Sequence, residues 1–269
     1  MSKLVFGGGA IFALCACALA LSGEAQAQPA ASAIPDLSGY WTKEGDFAST
    51  WEPPETLRPG PLMNTLSVPL LFAADPANPI LKAKTAEVVK RNGDSERGGV
   101  SVPVAHNLCW PEGVPAALLM REPVQFLQTP KEITILYQRD HQVRHVYLDV
   151  PHAKNPPKTW NGESVGHYEG DTLVIDTIGL NDKSAIDRFG TPHSDRLHAI
   201  EKYQMINGGR ALRATVTVDD PVAFNMTWYA QATYQRNRGP IEEIVCAENN
   251  FDILTRKQFA VPSAAKADF

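Results

Sequence analysis

The chain reads as an all-β protein folded into an antiparallel barrel, with a proline-rich, partly helical excursion near its N-terminus. Three observations lead there. Beyond residue 109, short runs rich in Val, Ile, Tyr and Thr recur between turns that carry Gly, Pro, Asn or Asp, the spacing of a β-sandwich or barrel. Within 210–218 the two faces separate cleanly, with Leu212, Ala214, Val216 and Val218 alternating with Arg213, Thr215 and Thr217. Glu169-Gly170-Asp171 is turn chemistry between two strand-like runs, its glycine free to take positive φ, and the β-branched Leu173-Val174-Ile175 run follows.

Residues 1–27 have the form of a secretory signal. Lys3 supplies the positive start, residues 11–21 the apolar stretch, and Ala25-Gln26-Ala27 a small-x-small cleavage site that leaves Gln28 as the mature N-terminus. Leu14-Cys15-Ala16-Cys17 offers a lipoprotein-type alternative, with the better cleavage site lying downstream. The apolar stretch is short for a membrane span, and no later segment is long and apolar enough to be one. The expected destination is the periplasm.

Residues 28–36 form an Ala/Pro/Ser leader, 37–255 a single barrel domain, and 256–269 a C-terminal tail. A first strand is expected over 37–42, where Gly39-Tyr40-Trp41 gives a G-x-W. That motif at the start of a first strand resembles the lipocalin and calycin barrels, in which the tryptophan plugs the closed end. The resemblance implies a barrel of that kind. Residues 48–103 contain Pro53, Pro54, Pro59, Pro61, Pro69, Pro76 and Pro79, which limits regular structure. One helix is expected over 80–91, after Pro79 and ending near Asn92-Gly93. The segment reads as an excursion covering one barrel end, or as a lid. Strands are then expected over 124–128, 133–138, 143–149, 164–168, 172–177, 197–206, 211–218, 226–235 and 241–246.

Composition narrows the partners. Net charge is −5 with scattered basic residues, which argues against nucleic acid or an anionic membrane surface. Of the four cysteines, Cys15 and Cys17 leave with the signal. Cys109 and Cys246 remain as an even pair in an exported chain, and a disulfide is expected. The oligomeric state, a homodimer included, is left open. H-E-x-x-H, C-x-x-C and a glycine-rich phosphate loop are absent from the sequence, so neither a metal nor a nucleotide cofactor is expected.

His193 and His198, with Asp195 between them, are the leading acid/base candidates; a turn histidine and a strand histidine bonded to backbone are the plainer alternative. Over 143–149, His145, Tyr147 and Asp149 share one face while Arg144, Val146 and Leu148 share the other; which is inside stays open at this level. His152 follows in the next turn. Gly162-Glu163-Ser164-Val165-Gly166 matches the nucleophile-elbow pattern but lacks the strand–turn–helix context that an elbow needs. Asp171, Asp176 and Asp187 could pair as carboxylates, and Trp160, Trp228 and Tyr229 could wall an aromatic ligand.

Over residues 109–249 the chain resembles a family of exported bacterial proteins common in proteobacteria and acidobacteria. The landmarks are Cys109-Trp110-Pro111-Glu112-Gly113-Val114-Pro115, Arg144 with Tyr147-Leu148-Asp149, and Pro151-His152. Next come Trp160-x-Gly162-x-Ser164-x-Gly166 and Glu169-Gly170-Asp171-Thr172-Leu173-Val174 with Asp176-Thr177. Pro192-His193-Ser194, Leu197-His198, Glu201, Asp220-Pro221 and Cys246 with Glu248-Asn249 complete the set. The chain departs from the pattern at the shorter Val150-Pro151-His152 and at His167, where relatives often carry arginine. The resemblance extends to proteins associated with breakdown of lignin-derived aromatic dimers, including a cofactor-free loss of formaldehyde. It implies a cofactor-independent lyase acting on a small aromatic substrate. His193, His198, Tyr147, Arg144 and His152 are then the catalytic candidates, with Arg144 or a histidine stabilising an oxyanion. His167, Trp160, Asp149, Ser164 and Glu201 are the substrate-binding candidates. A hydrophobic small-molecule-binding barrel and a histidine-metal hydrolase using His152, His193 and His198 are the alternatives.

Overall fold

The computed structural model describes residues 34–45, 51–62, 73–252 and 255–262, so the expected signal and its cleavage site lie outside the described residues. Nine strands close into one barrel in chain order. They are β1 (Gly39–Lys43), β2 (Val124–Gln128), β3 (Glu132–Tyr137), β4 (Val143–Leu148) and β5 (Glu163–Glu169), then β6 (Thr172–Ile178), β7 (His198–Ile206), β8 (Ala211–Asp219) and β9 (Trp228–Asn237). Each pairs with the next, and β9 returns antiparallel to β1 with Arg236 opposite Trp41.

A closed ring with an odd number of strands cannot alternate direction all the way round. The exception is β4–β5, which pair in parallel with Tyr147 opposite Val165. A parallel neighbour cannot be reached by a hairpin and needs a crossover. Residues 149–162, stiffened by Pro151, Pro156 and Pro157, supply it. Nine strands and a parallel pair set this barrel apart from an eight-stranded up-and-down barrel.

Alternation decides what fills the interior. Leu212, Ala214, Val216 and Val218 are all buried, and Phe126, Ile133, Ile135, Leu173, Ile175 and Tyr203 meet them from other strands. Trp41 is fully buried; its indole Nε1 donates to Leu37 O at 2.9 Å, and the Arg236 guanidinium lies 4.3 Å from its ring centroid. On β4 the inward face is Arg144, Val146 and Leu148, while Val143, His145 and Tyr147 face solvent.

A charge therefore sits inside the barrel. Arg144 donates from Nε to Ser164 Oγ (3.0 Å), from Nη1 to Glu201 Oε1 (3.0 Å) and from Nη2 to Thr177 Oγ1 (2.8 Å), and Nη2 also pairs with Glu201 Oε2. Tyr203 donates its hydroxyl to Glu201 Oε1 at 2.8 Å. Burial pulls the guanidinium pKa down, but the Glu201 carboxylate together with the Tyr137 and Tyr203 phenols outweighs it, and the net shift is upward. Burial, then the same carboxylate, pushes the Tyr203 phenol up.

Before β2, helix α1 (Ala83–Arg97) runs past the Asn92-Gly93 stop expected from sequence. Tertiary contacts override the local signal. Asn92 Nδ2 donates to the carbonyls of Phe189 (3.2 Å) and Gly190 (3.1 Å), and a Cβ on Gly93 would stand 3.1 Å from the Ala73 Cβ. Trp51, Leu62, Ala74, Ile80, Leu81 and Val89 join the barrel's hydrophobic core, and Trp51 Nε1 donates to Ile186 O at 3.0 Å. No helix among the described residues is long and apolar enough to cross a membrane.

The strand expected over 241–246 does not form. Because β9 already pairs with β1, the closed ring offers no free edge for another strand. The backbone N–H of Glu242 goes to Gln138 Oε1 (3.2 Å) instead, and a short helix, Cys246–Asn249, begins at the disulfide. Cys109 and Cys246 are bonded as expected, 5.6 Å apart at Cα and separated by 137 positions. Closing a loop that long contributes on the order of 5 kcal/mol through unfolded-state entropy.

The ion pair predicts a non-additive result. Arg144→Met alone strands the Glu201 carboxylate in the core and should cost about 3–5 kcal/mol in urea unfolding. Adding Glu201→Leu should recover most of that loss; a double variant as unstable as the sum of the singles would contradict it.

Candidate acid/base site at the barrel seam

The parallel pairing of β4 with β5 is short, running from Val146↔Ser164 to Leu148↔Gly166, so the start of β4 has no ladder partner on that side. The crossover instead folds past it, and an open cleft of about 430 Å³ forms at the seam. Val143, His145 and Tyr147 give one wall, Pro157 and Trp160 another, and Arg144 and Ser164 lie at the floor. The Trp-Asn-Gly turn needs its glycine: Gly162 has φ +64°, and a Cβ there would come within 2.4 Å of Ile178 O. That turn seats Trp160 against Trp110, ring centroids 5.6 Å apart.

Glu163, the next residue, lines the cleft and starts a chain of polar contacts across the outer face of β5, β6 and β7. Its Oε1 accepts the Ala153 N–H at 2.7 Å and meets His152 Nδ1 at 3.0 Å. His152 Nε2 reaches Asp176 Oδ1 at 3.1 Å, and His198 Nε2 reaches the same oxygen at 2.8 Å. Ionised carboxylates only accept, so both His152 contacts are hydrogen bonds at once only when the ring donates from both nitrogens. The His198 hydrogen bond lowers the Asp176 pKa against the effect of burial, and the bond from Asp176 raises His198. The arrangement is one hydrogen-bonded chain, Glu163–His152–Asp176–His198, with one end in an aromatic cleft.

The expected site residues fall into separate groups. His152 and His198 come together through Asp176, and Tyr147 and Trp160 share the cleft. Arg144, Ser164 and Glu201 also converge, but inside the barrel, where the guanidinium is fully engaged; Arg144 is thus a core charge rather than a free oxyanion donor. Ser164 points to Arg144 from within a strand, as the rejection of an elbow requires. The His145–Tyr147–Asp149 face, a candidate pocket lining, is the solvent face. There Tyr147 stacks on His145, while Asp149 leaves the strand at φ +57° and donates its N–H to Gly166 O at 2.8 Å.

His167 is exposed beside Glu169 at 3.4 Å and does not line the cleft. His193 is buried apart from the other histidines, between Ser184 Oγ (3.1 Å) and Ser194 O (3.0 Å). Trp228 is core, edge-on to Phe224, so it walls no ligand. The three aspartates do not pair. Asp171 faces Gln204 at the β5–β6 turn, and Asp187 is buried, accepting from Phe189 N (3.0 Å) and Thr191 N (3.1 Å), with burial pushing its pKa to about 6.

Glu163 and Ser184 were not among the expected site residues. Strand periodicity carries a signal for the first, since Glu163 shares a face with Val165 and His167. Fold and site together describe a closed β-barrel with a cleft on its outer face, bordered by a chain of carboxylates and histidines. No protein-family model matches the chain, and no curated protein matches it.

Several groups tie stability to pH, and Asp187, raised by burial, opposes the acid-side losses of the others. His198 is raised above its usual value of about 6.5, so its contribution is complete below that pH and is lost as pH climbs through the folded value. His193 is lowered by burial, so its cost appears as pH drops below the unfolded value. Asp176, lowered, loses its contribution as pH falls through its folded value, in the more acidic range. In melting curves taken across pH, His198→Ala should flatten the alkaline decline; an unchanged alkaline limb would refute the assignment.

Proposed function

We propose that this is an exported, periplasmic enzyme that holds a small aromatic molecule in the Trp160–Tyr147 cleft and acts on it by acid/base chemistry at Glu163, without a cofactor. The observation that carries the reading is the position of Glu163. Its carboxylate stands at the edge of an aromatic-walled cleft and is tied through His152 and Asp176 to His198. A general base needs a substrate beside it and a partner that tunes and recharges it.

The reaction class that fits this site and the family resemblance is a carbon–carbon lyase acting on a lignin-type dimer bearing a primary alcohol. Glu163 takes the alcohol proton, the C–C bond breaks, and formaldehyde leaves. The released electron pair expels the aryl ether oxygen on the neighbouring carbon, which takes a proton from His152. The imidazole next to Glu163, rather than Arg144, then meets the developing oxyanion. Aromatic-compound breakdown is the corresponding physiological role.

The lipocalin mode, with ligand held inside the barrel, has little support, because Trp41, Phe126, Tyr203 and the Arg144–Glu201 pair fill the interior. A binding protein without turnover is the second reading, favoured by the openness of the cleft, and it uses the same outer site. A histidine-metal hydrolase has no comparable support: among the described residues no three His, Cys, Asp or Glu side chains converge as a metal site.

Mass spectrometry of aromatic dimers incubated with purified protein, with and without chelator, tests the proposal. Loss of a formaldehyde-sized fragment in both conditions is expected. Glu163→Gln should lower kcat by ~100-fold, the scale of a lost acid/base group. Trp160→Ala should act mainly on KM. Full activity in Glu163→Gln would remove the site assignment, and ligand capture without any mass change would leave the binding reading.

A further inference from the structure

The loop between β6 and β7 holds a second constellation that the cleft chemistry does not use. Its two limbs are bridged at Ala185 and Pro192, which sets the adjacent Ser184 and His193 against each other. His193 is only 6% exposed. Its Nδ1 lies 3.0 Å from Ser194 O, which can only accept, so that nitrogen carries the proton. Nε2 therefore presents its lone pair to Ser184 Oγ at 3.1 Å, and the serine hydroxyl donates to it. Ser194 is itself anchored, its N–H donating to Asp220 Oδ2 (2.6 Å) and its hydroxyl to Oδ1 (2.8 Å). Asp220 is in turn held by the N–H groups of Val222 (2.9 Å) and Ala223 (3.2 Å). A hydroxyl, a neutral base with a fixed tautomer, and a group that orients the base are the parts of an activated serine nucleophile.

The dyad lies close to Trp160, one wall of the cleft, without lining the cleft itself. Gly113 stands between Ser184 and the crossover: a Cβ there would come within 2.9 Å of Ser184 Oγ and 2.7 Å of Trp160 O. The crossover pairs with this loop through Thr159 and Leu180, and Lys183 carries its ammonium 5.8 Å from the Trp160 ring centroid. Ser184 itself is only partly buried.

We propose that Ser184 is an acyl-accepting nucleophile with His193 as its base, and that this second centre hydrolyses small aromatic esters. Ser184 Oγ attacks the ester carbonyl carbon while its proton passes to His193 Nε2. The carbon–oxygen bond to the alcohol breaks, and the alcohol leaves with that proton. Water then repeats the sequence on the acyl-serine, releasing the carboxylic acid and restoring Ser184. The centre shares no side chain with the Glu163 chain and stands or falls apart from it.

An aryl fluorophosphonate probe, read by intact mass and peptide mapping beside p-nitrophenyl acetate hydrolysis, tests this. One equivalent should add to the Ser184 peptide of native protein and none to denatured protein. Ser184→Ala should lose the label and at least ~100-fold of the esterase rate. Native protein that takes no label, or a folded Ser184→Ala that labels and turns over as before, would overturn the proposal. Should Ser184→Ala fail to fold, Ser184→Cys keeps the shape. Beside His193 its thiol should alkylate at neutral pH at least ~10-fold faster than a free thiol, and no acceleration would equally overturn it.

Discussion

A closed ring of nine strands must contain a parallel neighbour pair, and the rest of this molecule is arranged around that necessity. Placing it at β4–β5 requires a crossover, and the crossover carries His152, Trp160 and the Gly162 turn to the barrel's outer face. The parallel ladder is brief, which leaves the start of β4 uncovered and opens the cleft. Each feature of the candidate site thus follows from how the ring closes. A strand more or fewer would let every neighbour be antiparallel and would remove the reason for a long connection at the seam.

The same seam is where the core is most polar. Arg144 enters from β4 and meets Ser164 of β5, Thr177 of β6 and Glu201 of β7, so one guanidinium spans the parallel junction and the three strands after it. Buried ion pairs are poor sources of net stability, but they penalise any register that separates the partners. A one-residue slip in β4 would turn Arg144 outward and bring His145 in, leaving Glu201 alone. The pair acts as a registration pin across a junction whose ladder is only three residue pairs long.

Most of the barrel was legible in the sequence because its strands obey a period of two. β8 reads directly from Leu212, Ala214, Val216 and Val218, and β2 has the expected bounds. The orientation of β4 was not legible, because both faces carry polar residues and the partner that makes Arg144 an interior residue lies 57 positions away. Helix α1 outran its stop signal for a similar reason, since Asn92 is bound to Phe189 and Gly190 far along the chain. The same holds for the site. The histidines were visible as residue types, but their division into an outer pair on Asp176 and a buried one against Ser184 depends on which strand faces water. Glu163 was hidden inside a motif that drew attention to the serine beside it.

The disulfide has a topological consequence. Cys109 precedes β2 and Cys246 follows β9, so the covalent loop encloses eight of the strands and leaves β1 outside it. β1 is the stave that completes the cask, seated between β2 and β9 by ladders on both edges. Withdrawing it breaks no covalent closure, yet it would uncover two strand edges at once and lift Trp41 out of the interior. The barrel is therefore a hooped wall with a single removable plank, and the burial of that tryptophan keeps the plank in place.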